Sequence, residues 1–400
     1  MKIVLFTHPS FMKSKSMPRF AAMLESGYTS LGYTVDTLSP SPYFYRLSKW
    51  LPKAAKWLGY LDQYLLFPIK VKAKLILNKP SNTVFVFCDQ ALGPWVPLVS
   101  KHPHVIHVHD LLALKSALGR EQINKTGWSG KIYQRYIRRG FEKGKYFISI
   151  SNKTKADLED LSDINPTISE VVFNGLNYPY IRMSEELIHE KFIQGNLNLN
   201  YKGYLFNIGG NQWYKNRTGL LHLYKHYIGK CEEPLCLVIV GPAANEKEQK
   251  ILEEITLTNK AANVLFLKDI DNILLNALYS GAKCLIFPSH EEGFGWPIIE
   301  AQAAGTCVLT TNSAPMNEIA GEHSILFSST EHFRDGIIDD WARVNSEKLS
   351  MFLELPSAEI SKLENKSVKW ARHFDEENTL NKYISIYKKA MHTSQDESYR

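Results

Sequence analysis

Residues 289–321 read SHEEGFGWPIIEAQAAGTCVLTTNSAPMNEIAG, and this stretch decides how the chain is to be read. The run KCLIFPS before it, Lys283 to Ser289, has the continuous apolar character of a strand buried on both faces of a parallel sheet. Gly293-Phe294-Gly295 then predicts a turn in which backbone can approach a ligand closely, because two of its three residues lack a side chain. Pro297 suits the first helical position, where its missing N–H is no loss. A helix opening there aims unpaired amides into the turn, an arrangement suited to phosphate. Glu300 falls in its first turn, placed as acidic residues are that bind ribose hydroxyls in open α/β sheets, and Glu292 on the loop side faces another set of hydroxyls. A phosphate between two hydroxyl-binding carboxylates describes a nucleotide-sugar. The same residues also fit a solvated loop glutamate and a helix-dipole charge, and the local chemistry leaves the two readings level.

Outward from this segment, short β-branched and aromatic runs alternate with helical patterns, which predicts an α/β protein with parallel sheets covered on both faces. Strands are expected near Lys2–Phe6, Tyr33–Leu38, Thr83–Cys88, His104–His109, Lys145–Ile150 and Glu170–Phe173. A second series follows at Tyr204–Ile208, Leu235–Val240, Asn263–Leu267, Lys283–Pro288, Cys307–Thr310 and Ser324–Phe327. The polar stretch Asn174 to Lys202 reads as the crossing between two Rossmann-like domains, residues 1–190 and 200–370, that face a central cleft. The second domain opens with GYLFNIGGNQWYKNRTGLL, Gly203 to Leu221. Gly209 and Gly210 end its strand, and Lys215 and Arg217 follow at a helix start. Glycines plus a cation at a strand-to-helix junction suit a diphosphate, although a lone lysine there is more often solvated. In the first half, His107 and His109 of HVIHVHDLL share one face of a strand, with His109 at its carboxyl end, the edge where such sheets bind ligands.

The segment around Glu292 and Glu300 resembles the donor-site signature of the family 4 retaining glycosyltransferases of the GT-B fold, the glycosyl transferases group 1. The resemblance is strong from about Tyr204 to Phe327 and weak before residue 100. It implies transfer of a sugar from a nucleoside diphosphate sugar to a glycan or lipid-linked saccharide, in cell-surface polysaccharide biosynthesis, with retention of configuration and no metal or other cofactor. By that resemblance Glu292, His109 and Lys215 are the catalytic residues, with His109 reaching the donor sugar. Gly209, Gly210, Lys215, Arg217, Glu292, Gly293, Phe294, Gly295 and Glu300 hold the donor. The terminal segment WARHFDEENTLNKYISIYKKAM resembles the family's last helices, so a helix at about 375–395 is expected to complete the first domain. Two departures stand out. Where the family places an arginine after the glycine, this chain has Gly210, leaving Arg217 as a substitute, and the glycine pair after the first strand is replaced by His8-Pro9-Ser10. These departures motivate an alternative, a non-catalytic GT-B-like binding or scaffold protein. A nicotinamide-dependent oxidoreductase is disfavoured because no G-x-G-x-x-G follows a candidate strand.

Composition fits a globular chain of two ordinary domains: 400 residues, 44% hydrophobic and 22% charged. MKIVLF runs straight into a polar loop rather than a signal sequence, and no stretch approaches the roughly 18 apolar residues a membrane span needs. Four of the five cysteines fall in apolar runs, and their odd total argues against a disulfide framework. A cytoplasmic protein is expected, with the inner membrane face as its place of work. The net charge of +6 is concentrated. Residues 43–80 carry eight Lys or Arg and one acid, Asp62, with Trp50 and Trp57 among them. Lys49, Lys53 and Lys56 share one helical face and Leu51, Leu58, Leu61 and Leu65 the other. This suits a peripheral helix on an anionic membrane, or equally a helix whose leucines pack on the sheet. Nucleic acid is not expected, since no binding motif accompanies the charge. No motif selects the base, the sugar, the acceptor or the linkage.

Overall fold

The computed structural model describes residues 1–11, 16–77, 80–121, 123–329 and 337–398. Asn78 and Lys79 of the basic segment, and residues 330–336 of the expected second domain, lie outside the described residues. The chain divides into two compact units, Met1–Asn177 with Glu376–Arg400, and Tyr178–Asp375.

In the first unit, six parallel strands run β1 (Lys2–Phe6), β2 (Thr34–Leu38), β3 (Thr83–Phe87), β4 (His104–Val108), β5 (Tyr146–Ser149) and β6 (Ile168–Val171). Their order in the sheet is β2-β1-β3-β4-β5-β6. The apolar runs are buried throughout β3 and β4, as a sheet covered on both faces requires. One face packs a core built on Phe6, Phe87, Trp95, Ile106 and Phe147. On the other, the helix Glu376–Ser398 lies against β3 and β4, and its Tyr387 OH meets His107 Nε2 at 2.6 Å. The last helix is therefore part of the first unit. β6 begins two residues earlier than its sequence suggests, at Ile168 rather than Glu170, because pairing with β5 sets its register, Tyr146 opposite Ile168.

The second unit contains β7 (Tyr204–Ile208), β8 (Cys236–Val240), β9 (Val264–Leu267), β10 (Cys284–Phe287), β11 (Val308–Thr311) and β12 (Ile325–Phe327), in the order β12-β11-β10-β7-β8-β9. Its boundary, between Asn177 and Tyr178, falls near the start of the Asn174–Lys202 stretch. Residues 178–202 are bound to this unit by the helix Glu185–Gln194, whose Ile188 and Phe192 are buried, and by Ile181 N, which donates to Asn276 Oδ1 at 3.2 Å. The strand order reverses between β7 and β10, so the loops leaving these neighbours part to opposite sides and open a crevice at their carboxyl ends. In the first sheet the reversal falls between β1 and β3.

The basic segment does not form one amphipathic helix. It is broken into the 3-10 turns Tyr45–Lys49 and Pro52–Ala54, the helix Ala55–Leu61, a π-turn Asp62–Leu66 and the helix Phe67–Leu77. Pro52 has no N–H to continue a helix, and buried Asp62 accepts from Phe44 N and Tyr45 N at 2.9 and 2.8 Å, folding the segment back on itself.

Candidate active site

The crevice at the ends of β7 and β10 gathers most of the residues singled out above. Asn216 does the local work of assembly. It takes a left-handed conformation, φ 53°, and its Oδ1 accepts from Gly219 N at 3.1 Å, capping the helix Arg217–Ile228. Its Nδ2 donates to Pro288 O at 3.0 Å, which ties that helix start to the end of β10. A second tie runs from His290 N to Tyr214 O at 2.7 Å. Lys215 is thereby delivered to the β10 loop, and its Nζ donates to Glu292 Oε1 at 2.7 Å. Ser289 Oγ donates to the same oxygen at 2.8 Å, and Thr311 Oγ1 fixes Ser289 O at 2.7 Å. Lys215 is 19% and Glu292 10% exposed, so this ion pair is well shielded yet open at one side.

The turn behaves as its glycines require. Gly295 sits at φ +102°, a conformation that L side chains avoid, and is the N-cap of the helix Trp296–Ala303 without any side-chain cap. The helix begins one residue before Pro297, which therefore occupies its second position rather than its first. Glu300 consequently lies in the second turn. It is 6% exposed, and its Oε2 accepts from the buried Tyr279 OH at 2.7 Å. Burial pushes the pKa of His290, beside Lys215 in this loop pair, down to about 4, so its ring is neutral at physiological pH.

Gly209 and Gly210 end β7 as expected, and an added Cβ on Gly241, at the end of β8, would collide with Gly209 O. Arg217 is held by contacts within its own unit. It is 4% exposed, and its guanidinium donates to Glu248 Oε2 at 3.0 Å, to Pro242 O at 2.9 Å and to Asn211 Oδ1, over the Phe266 ring at 5.2 Å. Those contacts tie Arg217 to the loop that follows β8. The pull is tertiary, since Glu248 and Phe266 reach it from distant turns of the chain. His109, in the first unit, is 4% exposed; its Nε2 bonds Cys88 O at 2.9 Å and its edge faces Phe20. Burial lowers its pKa, against the attraction of Asp89.

The sequence reading passed over three features. Ser289 and Tyr279 hold the two glutamates, and only Ser289, three residues from Glu292, leaves a local signal. The run Asp269-Ile270-Asp271 has the Asp-x-Asp spacing with which metal-dependent transferases hold a cation. Here Asp271 caps the helix Asn272–Gly281, accepting from Leu274 N at 2.8 Å, and Asp269 lies 3.9 Å from Lys268. Among the described residues, no group of three His, Cys, Asp or Glu side chains is placed to hold a metal ion.

Residues 189–339 match the family described as "Glycosyl transferases group 1". Among curated relatives, O-antigen chain mannosyltransferase B of Escherichia coli is 28% identical over 130 residues, 32% of this chain and 33% of that protein. O-antigen chain mannosyltransferase RfbU of Salmonella typhimurium is 24% identical over 192 residues, 47% of this chain and 48% of that protein. The chain thus spans less than half the length of these relatives. Similar solved structures include a glycosyltransferase from Rickettsia africae, with a TM-score of 0.65, 16% identity and 98% of each chain covered. Anabaena HepE in complex with UDP and glucose has a TM-score of 0.65 at 14% identity, covering 99% of this chain and 100% of its own. WaaG, a glycosyltransferase involved in lipopolysaccharide biosynthesis, has a TM-score of 0.63 at 15% identity, covering 96% of this chain and 99% of its own. At such identities the likeness carries the fold, which is GT-B: two parallel-sheet units of the kind expected from the sequence.

Proposed function

With residues 189–339 a group 1 glycosyltransferase domain, we propose that the chain transfers a sugar from a nucleoside diphosphate donor to a saccharide acceptor with retention of configuration, in building a cell-surface polysaccharide. The mannosyltransferases among its relatives make mannose the sugar to test first. The observation that carries the reading is the Lys215–Glu292 contact beside the uncapped helix start at the β7/β10 crevice. A diphosphate there meets the Lys215 ammonium and backbone amides, which stabilise charge developing on the leaving group without reorganising. Glu292, released from Lys215 as the phosphates take over that cation, accepts from sugar hydroxyls. Glu300 accepts from the ribose. With fixed donors in these places the transfer proceeds without an added metal. Incubation with GDP-mannose, UDP-glucose and ADP-glucose, with and without EDTA, tests this by release of the nucleoside diphosphate. Consumption of none of them, or stabilisation by NAD alone in a melting assay, refutes it.

A lipid-linked acceptor on an anionic membrane, at the inner face, is part of this reading. Of the leucine stripe of the basic segment, Leu58 is half-buried but Leu51, Leu61 and Leu65 are exposed, Trp50 is 83% and Trp57 67% exposed, and Lys49, Lys53 and Lys56 stand among them. The helix Trp128–Phe141 extends the same character with exposed Trp128, Ile132, Lys131 and Arg135, joined through Tyr60 stacked on Tyr133 and a 2.7 Å bond between Tyr64 OH and Tyr133 OH. Cations interleaved with interfacial aromatics are what binds anionic headgroups. Among the described residues no helix is long and apolar enough to cross a membrane.

A further inference from the structure

The first sheet carries a cavity at the amino ends of its strands, the end away from the edge where open α/β sheets bind their substrates. Paired residues of parallel strands share a face, so the pairing of Val4 with Asp36 and Phe85, and of Lys2 with Thr83, puts all five side chains on one side. The helix Phe67–Leu77 lies over that side. Between Val4, Leu38 and Phe85 of the sheet and Val71 and Leu75 of the helix there is a cavity of about 240 Å³. Close-packed interiors leave few voids larger than a water molecule, and an apolar cavity of about 150 Å³ is enough to take benzene. The walls are apolar and deep, with Val4 4%, Phe85 3% and Val71 1% exposed.

The mouth of the cavity is charged. Lys2 Nζ lies 2.7 Å and Lys74 Nζ 3.4 Å from the same Asp36 oxygen, and the two lysine side chains reach solvent, 41% and 42% exposed. The Lys2 hydrogen bond lowers the Asp36 pKa, so the carboxylate is ionised at neutral pH. Two ammoniums share one carboxylate, which leaves the rim one net positive charge and spare N–H donors for a further anion. Apolar walls under a cationic rim fit a straight alkyl chain with an anionic head. The volume restricts the site to one chain, since sites that enclose a drug-sized ligand run to about 300–1,000 Å³. The same helix leaves Ile69 59%, Ile76 78% and Leu77 81% exposed, with Lys70 and Lys72 exposed among them, the mixture that lies on anionic bilayers.

We propose that this cavity takes the head-proximal part of one acyl chain of an anionic phospholipid, whose phosphate pairs with Lys2 and Lys74. This deepens the membrane part of the reading above and rests on it for the source of the lipid. It makes the contact a lodged chain rather than surface charge alone. Because the cavity lies at the far end of the strands from their carboxyl edge, its occupant leaves the transfer residues untouched.

The test is titration calorimetry with octyl, decyl and dodecyl phosphate, each below its micelle concentration, and decanol as the uncharged control. Each methylene that enters the cavity should tighten binding about fourfold, and the gain should level off once the cavity is full, whereas adsorption to a surface keeps rising with length. Leu75→Phe, which fills the cavity from its half-buried wall, should weaken decyl phosphate at least about tenfold and reduce co-sedimentation with phosphatidylglycerol vesicles several-fold. Lys74→Ala, on the solvent-reaching rim, should weaken decyl phosphate several-fold with decanol unchanged, and serves in place of Leu75→Phe if the latter does not fold. Asp36→Asn should tighten decyl phosphate. Nucleoside diphosphate binding should stay within about twofold in every variant. Affinity that ignores chain length, or that is the same in Leu75→Phe and Lys74→Ala as in the wild type, overturns the cavity site; wild type that still sediments with vesicles then leaves the membrane reading standing. Wild type that binds alkyl phosphate but ignores vesicles overturns the phospholipid and assigns the cavity to a free single-chain anion.

Discussion

Replacing Arg217 by Ala tests whether this cation is a structural brace or a phosphate ligand. Arg217 is 4% exposed, paired with Glu248 at 3.0 Å, bonded to Pro242 O at 2.9 Å and seated over Phe266. Truncation removes those bonds and strands a carboxylate that is only 2% exposed, so the loss belongs with broken buried ion pairs, about 3–5 kcal/mol. Glu248 keeps part of its satisfaction, since its Oε2 accepts from Asn245 N at 2.9 Å in a capping box, which favours the lower end of that range. For a unit the size of Tyr178–Asp375, each kcal/mol moves the melting transition by about 2–4 °C, giving a drop of roughly 6–12 °C at that lower end. Differential scanning calorimetry reads the drop directly, and Arg217→Met with Glu248→Leu should recover much of it because no charge is then left buried. Nucleoside diphosphate affinity, measured well below the new transition, should fall by less than about threefold. A variant that melts like the wild type but binds the diphosphate more than about tenfold more weakly refutes the brace and restores Arg217 to the phosphate site.

Lys215→Ala should weaken binding of the matching nucleoside diphosphate by about 10- to 150-fold, one charge-assisted bond of roughly 1.5–3 kcal/mol, as read by titration calorimetry; equal affinity would falsify its role. Gly295→Ala forces an L side chain to φ +102° and brings its Cβ to 3.2 Å from Ile298 Cδ1, so about 1–2 kcal/mol of stability should go, measurable as a shifted denaturant midpoint. His290 has a folded pKa of about 4 against 6.5 unfolded, so its contribution, at most about 3 kcal/mol, is fully present above pH 6.5 and is lost as pH falls from there toward 4. His290→Asn should flatten that part of the stability–pH curve, and an unchanged slope would show that the acid sensitivity lies elsewhere. Trp50→Ala with Trp57→Ala should reduce co-sedimentation with phosphatidylglycerol vesicles several-fold while leaving the melting temperature within about 2 °C, because both rings are already exposed; undiminished sedimentation would remove the membrane reading.

Much of this architecture is written in local sequence. Continuous apolar runs such as TVFVF and HVIHV have few alternatives to buried parallel strands, and a Gly-x-Gly turn followed closely by proline favours a helix start. Twelve strands and the Gly293–Gly295 turn were legible for that reason, since each depends on neighbours a few residues away. The fate of individual polar side chains was not legible, because it depends on which strands become neighbours. The pairing of β7 with β10 brings Lys215 to Glu292 across 77 residues, and the pairing of β1 with β3 brings His8 to Asp89 across 81. The same kind of long-range packing gave Arg217 Glu248 and Phe266 as partners and left Leu51, Leu61 and Leu65 exposed. Sequence by itself determined the elements and the residue types at their ends, through propensity and turn chemistry. Tertiary structure decided which of those residues meet, because a buried charge or donor must find its partner in space rather than along the chain.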